Sequence, residues 1–384
     1  MEYATYQKLF NDILKYYING YLDPNSLYYN EEEDTSYIEE EDTIPLFTVS
    51  ELLTQVDEIP SFRNEIYAID GSSRTYKTLK GNISFSSVAI VSSVKPIIGV
   101  YPGLGLLKEI SINKPFIALA SPTLDKASSI EPFIYTSKFI TLFSPSGKTY
   151  TSNYNVRSME TELRQELETA ALSFVLSISN QNDIIIVDGP LFPNYFYLET
   201  SERTVLFNER LKVLDNRSNV IGVVKRLDKS RSLVKALSSP YLKNKIVNYY
   251  KIDPSLFLSD EAFIHSLISR HYNNKPYKPV IIGPLLKQLN ESCKVYLYYA
   301  AIPLTMFIPH FSVLRIETLR LNKPQELLSY IATQGFSKDG IPKLVALADS
   351  IAKSITSGIS NYFLAYLRSS GVELSYVSKL EAKI

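Results

Sequence analysis

Two apolar runs of this chain close in the same way, Tyr67-Ala68-Ile69-Asp70-Gly71-Ser72 and Ile184-Ile185-Ile186-Val187-Asp188-Gly189-Pro190. Each reads as a buried β-strand that ends on a carboxylate and turns on a glycine. An aspartate at the mouth of an apolar strand is costly to place without a partner. Two of them point to a shared cation, because oxygen ligands at strand ends are what Mg²⁺ or Mn²⁺ require. Asp-Gly is also a common turn dipeptide whose carboxylate satisfies local backbone donors. Its repetition on two strongly apolar strands favours a metal site over turn chemistry. Such a site suits phosphodiester cleavage, in which two ions about 4 Å apart activate water and stabilise the leaving oxygen.

That chemistry needs more carboxylates. Residues 156–179 contain no Gly or Pro and read as a helix that carries Glu160, Glu162, Glu166 and Glu168. Glu168 shares a helical face with Ala171, Leu172 and Val175, so it should point toward the sheet and is the chosen ligand. The other three stay open, although Glu160 and Glu162 also suit a first helical turn, where carboxylates favour the helix dipole. Asp349 sits on the apolar stripe of a final helix, between Ala348 and Ile351, and a charge there needs a reason. It is either a fourth ligand or a helix-edge residue paired with Lys343 or Lys353. Lys225, Arg226, Lys229 and Arg231 follow another apolar strand; they either contact phosphates or form a solvated loop.

The elements that must position these groups follow from apolar spacing. A helix is expected over 3–22, with a Leu9, Ile13, Tyr17 and Ile18 stripe that could serve as a dimer or docking surface. The acidic run at 31–42 reads as a solvated loop or a contact for a basic partner. Strands fill 67–101, with extended character again over 132–143. The helix at 156–179 and the strand at 184–188 come next. Beyond them lie a helix near 200–215, a strand at 220–225 and a partly helical, Pro-containing insertion at about 240–279. Strands return at 280–282, 294–302 and 311–318, and a long helix spans 342–367. Three strands, a helix and a fourth strand, with Asp on the first and fourth, is the order of an RNase H-like fold. The expected class is therefore α/β, a mixed sheet of five to six strands flanked by helices.

Composition narrows the partners. Lys+Arg and Asp+Glu both number 40 among 384 residues, so any nucleic-acid surface must be local. The single cysteine, Cys293, excludes an internal disulfide framework and a Cys-based zinc site. No leader pattern is visible at the start, and no apolar run reaches the roughly 18 residues of a membrane helix. The expectation is a soluble, cytoplasmic protein with no membrane partner.

In order, Ile69-Asp70-Gly71-Ser72, the Glu-bearing helix, Val187-Asp188-Gly189-Pro190-Leu191, Ile221-Gly222-Val223-Val224-Lys225-Arg226, Val313-Leu314-Arg315-Ile316-Glu317 and Gly340-Ile341-Pro342 resemble the motifs of the NurA nucleases. The resemblance covers roughly residues 55–370. It implies an RNase H-like enzyme of archaea and bacteria with 5′→3′ exonuclease and single-strand endonuclease activity. It further implies two Mn²⁺ or Mg²⁺ ions on Asp70, Glu168, Asp188 and Asp349, DNA contacts from Lys225, Arg226 and Arg231, and a homodimer. The homodimer would dock on the hexameric DNA translocase HerA in end resection and double-strand break repair. On this reading residues 1–50 form a dimer or partner contact, 51–370 the nuclease domain with its insertion, and 371–384 a tail. The last motif departs from the family, in which Gly-Tyr-Pro precedes an Ala-His pair; here Ile341 replaces the tyrosine and Asp349 the histidine. The departure leaves two expectations: a nuclease with a rewired carboxylate site, or a catalytically silent scaffold subunit that binds the translocase or DNA.

Overall fold

The computed structural model describes residues 1–18, 27–29, 43–78, 82–105, 107–120, 137–151, 154–192, 197–215, 217–272, 278–290, 293–304 and 311–370. The acidic run at 31–42, part of the expected extended stretch at 132–143, His310 and the tail at 371–384 lie outside them.

The two aspartate-bearing runs are adjacent strands. β4 (Ile66–Thr78) and β9 (Ile184–Asp188) pair in parallel, with Ile69 opposite Val187. β10 (Val220–Val224) lies parallel on the other side of β9, with Val223 opposite Asp188. β5 (Asn82–Ser92) returns antiparallel to β4 and is buried along its whole length, as its Ile, Phe and Val content predicts. β7 (Ile117–Leu119) continues beyond β5. On the far side, β13 (Phe311–Thr318), β12 (Lys294–Pro303) and β11 (Val280–Gln288) follow β10, each antiparallel to its neighbour.

The sheet has thirteen strands among the described residues, which corrects the expectation of five to six. The excess has a physical source. β11, β12 and β13 join the same sheet, and short pieces such as β2 (Thr43–Pro45) and β3 (Leu53–Gln55) cover the β11 edge. Capping an edge hides unpaired backbone groups.

Period-2 alternation divides the core. Tyr67 and Ile69 of β4 pack with Leu167, Ala171, Leu172 and Val175 of α2 (Val156–Ile178). Ile66 and Ala68 pack with Leu344, Val345 and Ala348 of α8 (Lys343–Ser369). Asp70 therefore shares the side of Ile66 and Ala68, and Asp188 that of Ile184 and Ile186. Farther along, α8 joins the larger cluster through Ala352, Ile355, Ile359 and Phe363. It is pinned to the sheet by Ser87 Oγ, which donates to the Ala352 carbonyl at 2.8 Å, and by Thr356 Oγ1, which donates to Ser72 O at 3.2 Å.

Further helices frame the sheet, among them the short α4 (Ser232–Leu237) and α7 (Pro324–Ala332). α3 (Thr200–Leu214) packs on α2. α5 (Pro240–Tyr250) and α6 (Asp260–His271) occupy the stretch expected to be partly helical. The N-terminal helix α1 (Tyr3–Asp12) continues as a wider turn over Ile13–Ile18. Its apolar stripe is not a free docking surface, contrary to expectation. Leu9, Phe10, Ile13 and Tyr17 are buried, and Phe10 stacks edge-on against Phe363 of α8 at 5.2 Å. An aromatic stripe of that size finds its partner within the chain because α8 presents a matching one.

Candidate metal centre

Three carboxylates from three elements converge. Asp70, Asp188 and Asp349 each offer an oxygen within 4.8 Å of the others. The strand register brings the first two together, because β4 and β9 run parallel and put both Asp on the same side of the sheet. β9 ends at Asp188 as expected, but β4 does not turn at Gly71: it stays paired with β5 and continues to Thr78, so Asp70 lies within the strand. The third comes from the second turn of α8, whose Ala348 is buried under the same core cluster. Asp70 is 5% exposed. Gly71 N–H donates to its Oδ1 at 2.8 Å, while Oδ2 is buried with no hydrogen bond.

Like charges this close are costly: about 3–4 kcal/mol for each ionised pair at an effective dielectric constant of ~20. Burial pushes the Asp70 carboxyl well above the usual carboxylate range, and Asp188 adds to it. Burial also pushes Asp349 up, but Lys225 leads the groups that outweigh it, and Asp349 lies below its ordinary value. Lys353, one turn on, holds Asp349 at 3.3 Å. Asp349 is thus paired with Lys353, one of the readings its sequence position left open, while its carboxylate also lies in the cluster.

Lys225 Nζ lies 2.5 Å from Asp188 Oδ2. The residue directly follows β10, so the register that sets Val223 opposite Asp188 also brings Lys225 to the cluster. Burial alone would lower the lysine, yet Asp188, Asp70 and Asp349 together raise it above its ordinary value. A residue expected on DNA phosphate is therefore drawn into the carboxylates. Arg226 and Arg231 are exposed just beyond it.

Glu168 is buried as its helical face predicts, but it is not one of the three converging carboxylates. It reaches the sheet at Gly71, where an added Cβ would come within 2.8 Å of Glu168 Oε1. Arg164 and Arg210 hold it at 3.8 and 3.7 Å, and Gln165 Nε2 donates to its Oε2 at 2.8 Å. Burial raises Glu168 above its ordinary value, the two guanidiniums opposing. The other glutamates of α2 have separate partners. Glu162 accepts from Tyr150 and Tyr154, both at 2.8 Å, and Glu166 pairs with Lys114 at 2.7 Å.

Sequence reasoning missed the residues that hold the Asp188 turn. Gly189 adopts φ +100°, and the turn lies directly over Gly222, where a Cβ would stand 2.7 Å from Gly189 O. The Leu191 amide donates to Glu317 Oε2 at 2.9 Å, and Glu317 is ion-paired with Arg315 at 2.8 Å. Arg315 Nη1 in turn donates to Ser230 Oγ at 3.1 Å. The alternation Arg315-Ile316-Glu317 on a strand was the available signal, since it puts both charges on the face opposite buried Ile316.

The NurA domain matches residues 64–354, a span that contains every one of these side chains. The chain belongs to the NurA family. It is similar to the crystal structure of the NurA nuclease from Sulfolobus solfataricus, with 12% identity, 84% of this chain and 89% of that one covered, and a TM-score of 0.48. It is also similar to a structure of NurA with manganese (8% identity, 77% and 87% covered, TM-score 0.44). A third likeness is to NurA bound to dAMP and manganese (8%, 78% and 86%, TM-score 0.42). No curated protein matches the sequence. Within the NurA domain, Ile341 packs against the apolar cluster of Leu344, Val345 and Ala348. No helix among the described residues is long and apolar enough to cross a membrane.

Proposed function

We propose that this NurA-family protein is a divalent-metal-dependent DNA nuclease, with Asp70, Asp188 and Asp349 as its metal ligands and Glu168 as a carboxylate beside them. The observation that carries the reading is the buried, unbonded Asp70 Oδ2 within a set of three carboxylates whose oxygens lie within 4.8 Å. The donor set fits a hard cation: all the ligand atoms are carboxylate oxygens, and their mutual repulsion demands a positive charge. Mn²⁺ or Mg²⁺ bound there supplies Lewis-acid stabilisation of a scissile phosphodiester and makes water more acidic. The chain's own residues do the rest. Asp70, within β4, and Asp188, at the end of β9, fix the donor geometry from paired strands. Asp349 closes the third side from α8. Arg226 and Arg231 hold backbone phosphates of the DNA.

Family membership extends the reading to 5′→3′ exonuclease and single-strand endonuclease activity. It extends it also to a cytoplasmic homodimer docked on a HerA-type translocase in end resection and break repair. A symmetric dimer suits a ring that threads duplex DNA.

The test is cleavage of single-stranded and duplex DNA with Mn²⁺ and with Mg²⁺ by the parent and by Asp188→Asn. Metal-dependent cleavage by the parent, lost in the variant, supports the enzyme. The opposing reading, a silent scaffold, draws on Ile341 and Asp349. It prevails if the parent never cleaves but the Ile341→Tyr, Asp349→His double variant does.

A further inference from the structure

Lys225 is the feature of the centre that a two-ion nuclease does not need. Its ammonium stands 2.5 Å from Asp188 Oδ2, its side chain is only 20% exposed, and Asp188, Asp70 and Asp349 all act on its charge. Resting on the metal-nuclease reading, we infer that Lys225 takes the place of a second cation, so that each chain binds one divalent ion.

Charge decides the count. Asp70, Asp188, Asp349 and Glu168 bring four carboxylates to the neighbourhood. Glu168 already faces two guanidiniums, Arg164 and Arg210, at 3.8 and 3.7 Å, so its charge is committed to them. With Lys225 the four carboxylates, all ionised as metal binding requires, meet three cations, which leaves one net negative charge. One divalent ion with one phosphodiester brings that neighbourhood to neutrality. A second ion would leave two uncompensated positive charges in a partly buried site, where like-charge contacts cost most. Lys353, paired with Asp349 from the exposed face of α8, pushes in the same direction.

Geometry agrees with charge. Among the described residues, three carboxylates converge, from β4, β9 and α8. Two ions in such a site share bridging carboxylates and draw further donors from each side. Here the Asp188 side is covered by Lys225 Nζ, and Glu168 is held away by its arginines. An ammonium kept charged by the aspartates around it needs no metal supply. It offers a phosphate oxygen electrostatic support with half the charge of a divalent ion and without Lewis acidity.

The experiment is titration of the full, metal-stripped chain with Mn²⁺ alone, read by calorimetry and by the electron paramagnetic resonance of bound Mn²⁺. The parent is expected to bind one Mn²⁺ per chain with the spectrum of an isolated ion. Lys225→Met, which keeps the length of the side chain without its charge, is expected to bind two with a spin-coupled spectrum. Lys225→Arg should return the count to one. Two ions in the parent, or one in a folded Lys225→Met, overturns the inference while leaving the metal reading intact. No ion in the parent overturns both. If Lys225→Met fails to fold, judged by circular dichroism, Lys225→Gln takes its place with the same two outcomes.

Discussion

The Leu191 amide donates to Glu317 Oε2 at 2.9 Å, and this bond ties the turn after Asp188 to a strand two places across the sheet. Glu317 is 2% exposed and is balanced by Arg315, itself 1% exposed, at 2.8 Å. The pair does for the turn what a disulfide or metal does elsewhere. It restrains a short loop from inside the core. Ser230, which accepts from Arg315, donates to Asp260 Oδ2 at 2.7 Å, and Tyr299 donates to the same oxygen at 2.8 Å. One polar network thus runs from the insertion helix α6 to the metal centre.

Removing one partner of a buried ion pair strands the other. Glu317→Leu is expected to lose about 3–5 kcal/mol of stability in urea unfolding. The double variant Arg315→Met, Glu317→Leu should recover much of that loss, because no buried charge is left alone. A double variant as unstable as the sum of the singles would show that Arg315 and Glu317 act independently.

Gly222 carries the close approach of the Asp188 turn. A Cβ there would lie 2.7 Å from Gly189 O and 2.9 Å from Leu191 N, both backbone atoms that cannot swing away. Gly222→Ala is expected to cost about 1–3 kcal/mol and to weaken Mn²⁺ binding more than a distant core substitution of equal cost. Calorimetric titration of the folded variant checks this. Unchanged Mn²⁺ affinity would mean that Asp188 is set by β9 alone.

Asp70→Asn separates folding from metal binding. Burial and Asp188 raise the Asp70 carboxyl, so its ionisation opposes folding as pH rises. Without metal the variant should be more stable than the parent by about 1–2 kcal/mol at pH 8. With Mn²⁺ at a hundred times its dissociation constant the parent should gain about 2.7 kcal/mol and the variant nothing. Thermal scans with and without Mn²⁺ read both effects.

Glu162 predicts a second pH dependence away from the metal. Burial pushes it up from its ordinary 4.5 to about 8, against the hydrogen bonds from Tyr150 and Tyr154. Its folded value is raised, so the stability it contributes is fully present below pH 4.5 and falls as pH rises through 8. Each tenfold displacement of the proton equilibrium is about 1.4 kcal/mol, so the loss is on the order of a few kcal/mol. Glu162→Gln should flatten the decline between about pH 4.5 and 8 in urea unfolding. A parent and variant with parallel curves would place the ionisation elsewhere.

Much of this arrangement is legible in the sequence because its signals are local. Asp70 and Asp188 are read from apolar runs that meet Asp-Gly, although β4 runs on through Gly71 to Thr78 because β5 pairs with it there, and β9, α2, β10, β12, β13 and α8 from uninterrupted periodicity. Glu168 is placed on the inward face of α2 by helical spacing alone, and it is buried there. What escaped depends on pairings distant in sequence. β2 and β3 are three-residue edge strands whose only reason to be extended is β11, more than 200 residues away. The sequence offers Lys225 as a phosphate contact but does not show that the register sets it beside Asp188. Glu168 looks like a free ligand until Arg210, from another helix, is packed against it. The stripe of α1 looks like an interface until α8 supplies its aromatic partner.

The central claim is that Asp70, Asp188 and Asp349 together hold a catalytic divalent cation. Anomalous diffraction at the manganese edge from crystals grown with Mn²⁺ tests it most directly. The account predicts a manganese peak bonded to oxygens of all three aspartates at about 2.0–2.6 Å, with Glu168 still on Arg164 and Arg210. Fully occupied manganese elsewhere, with Lys225 and Lys353 the cations against the three carboxylates, would contradict it.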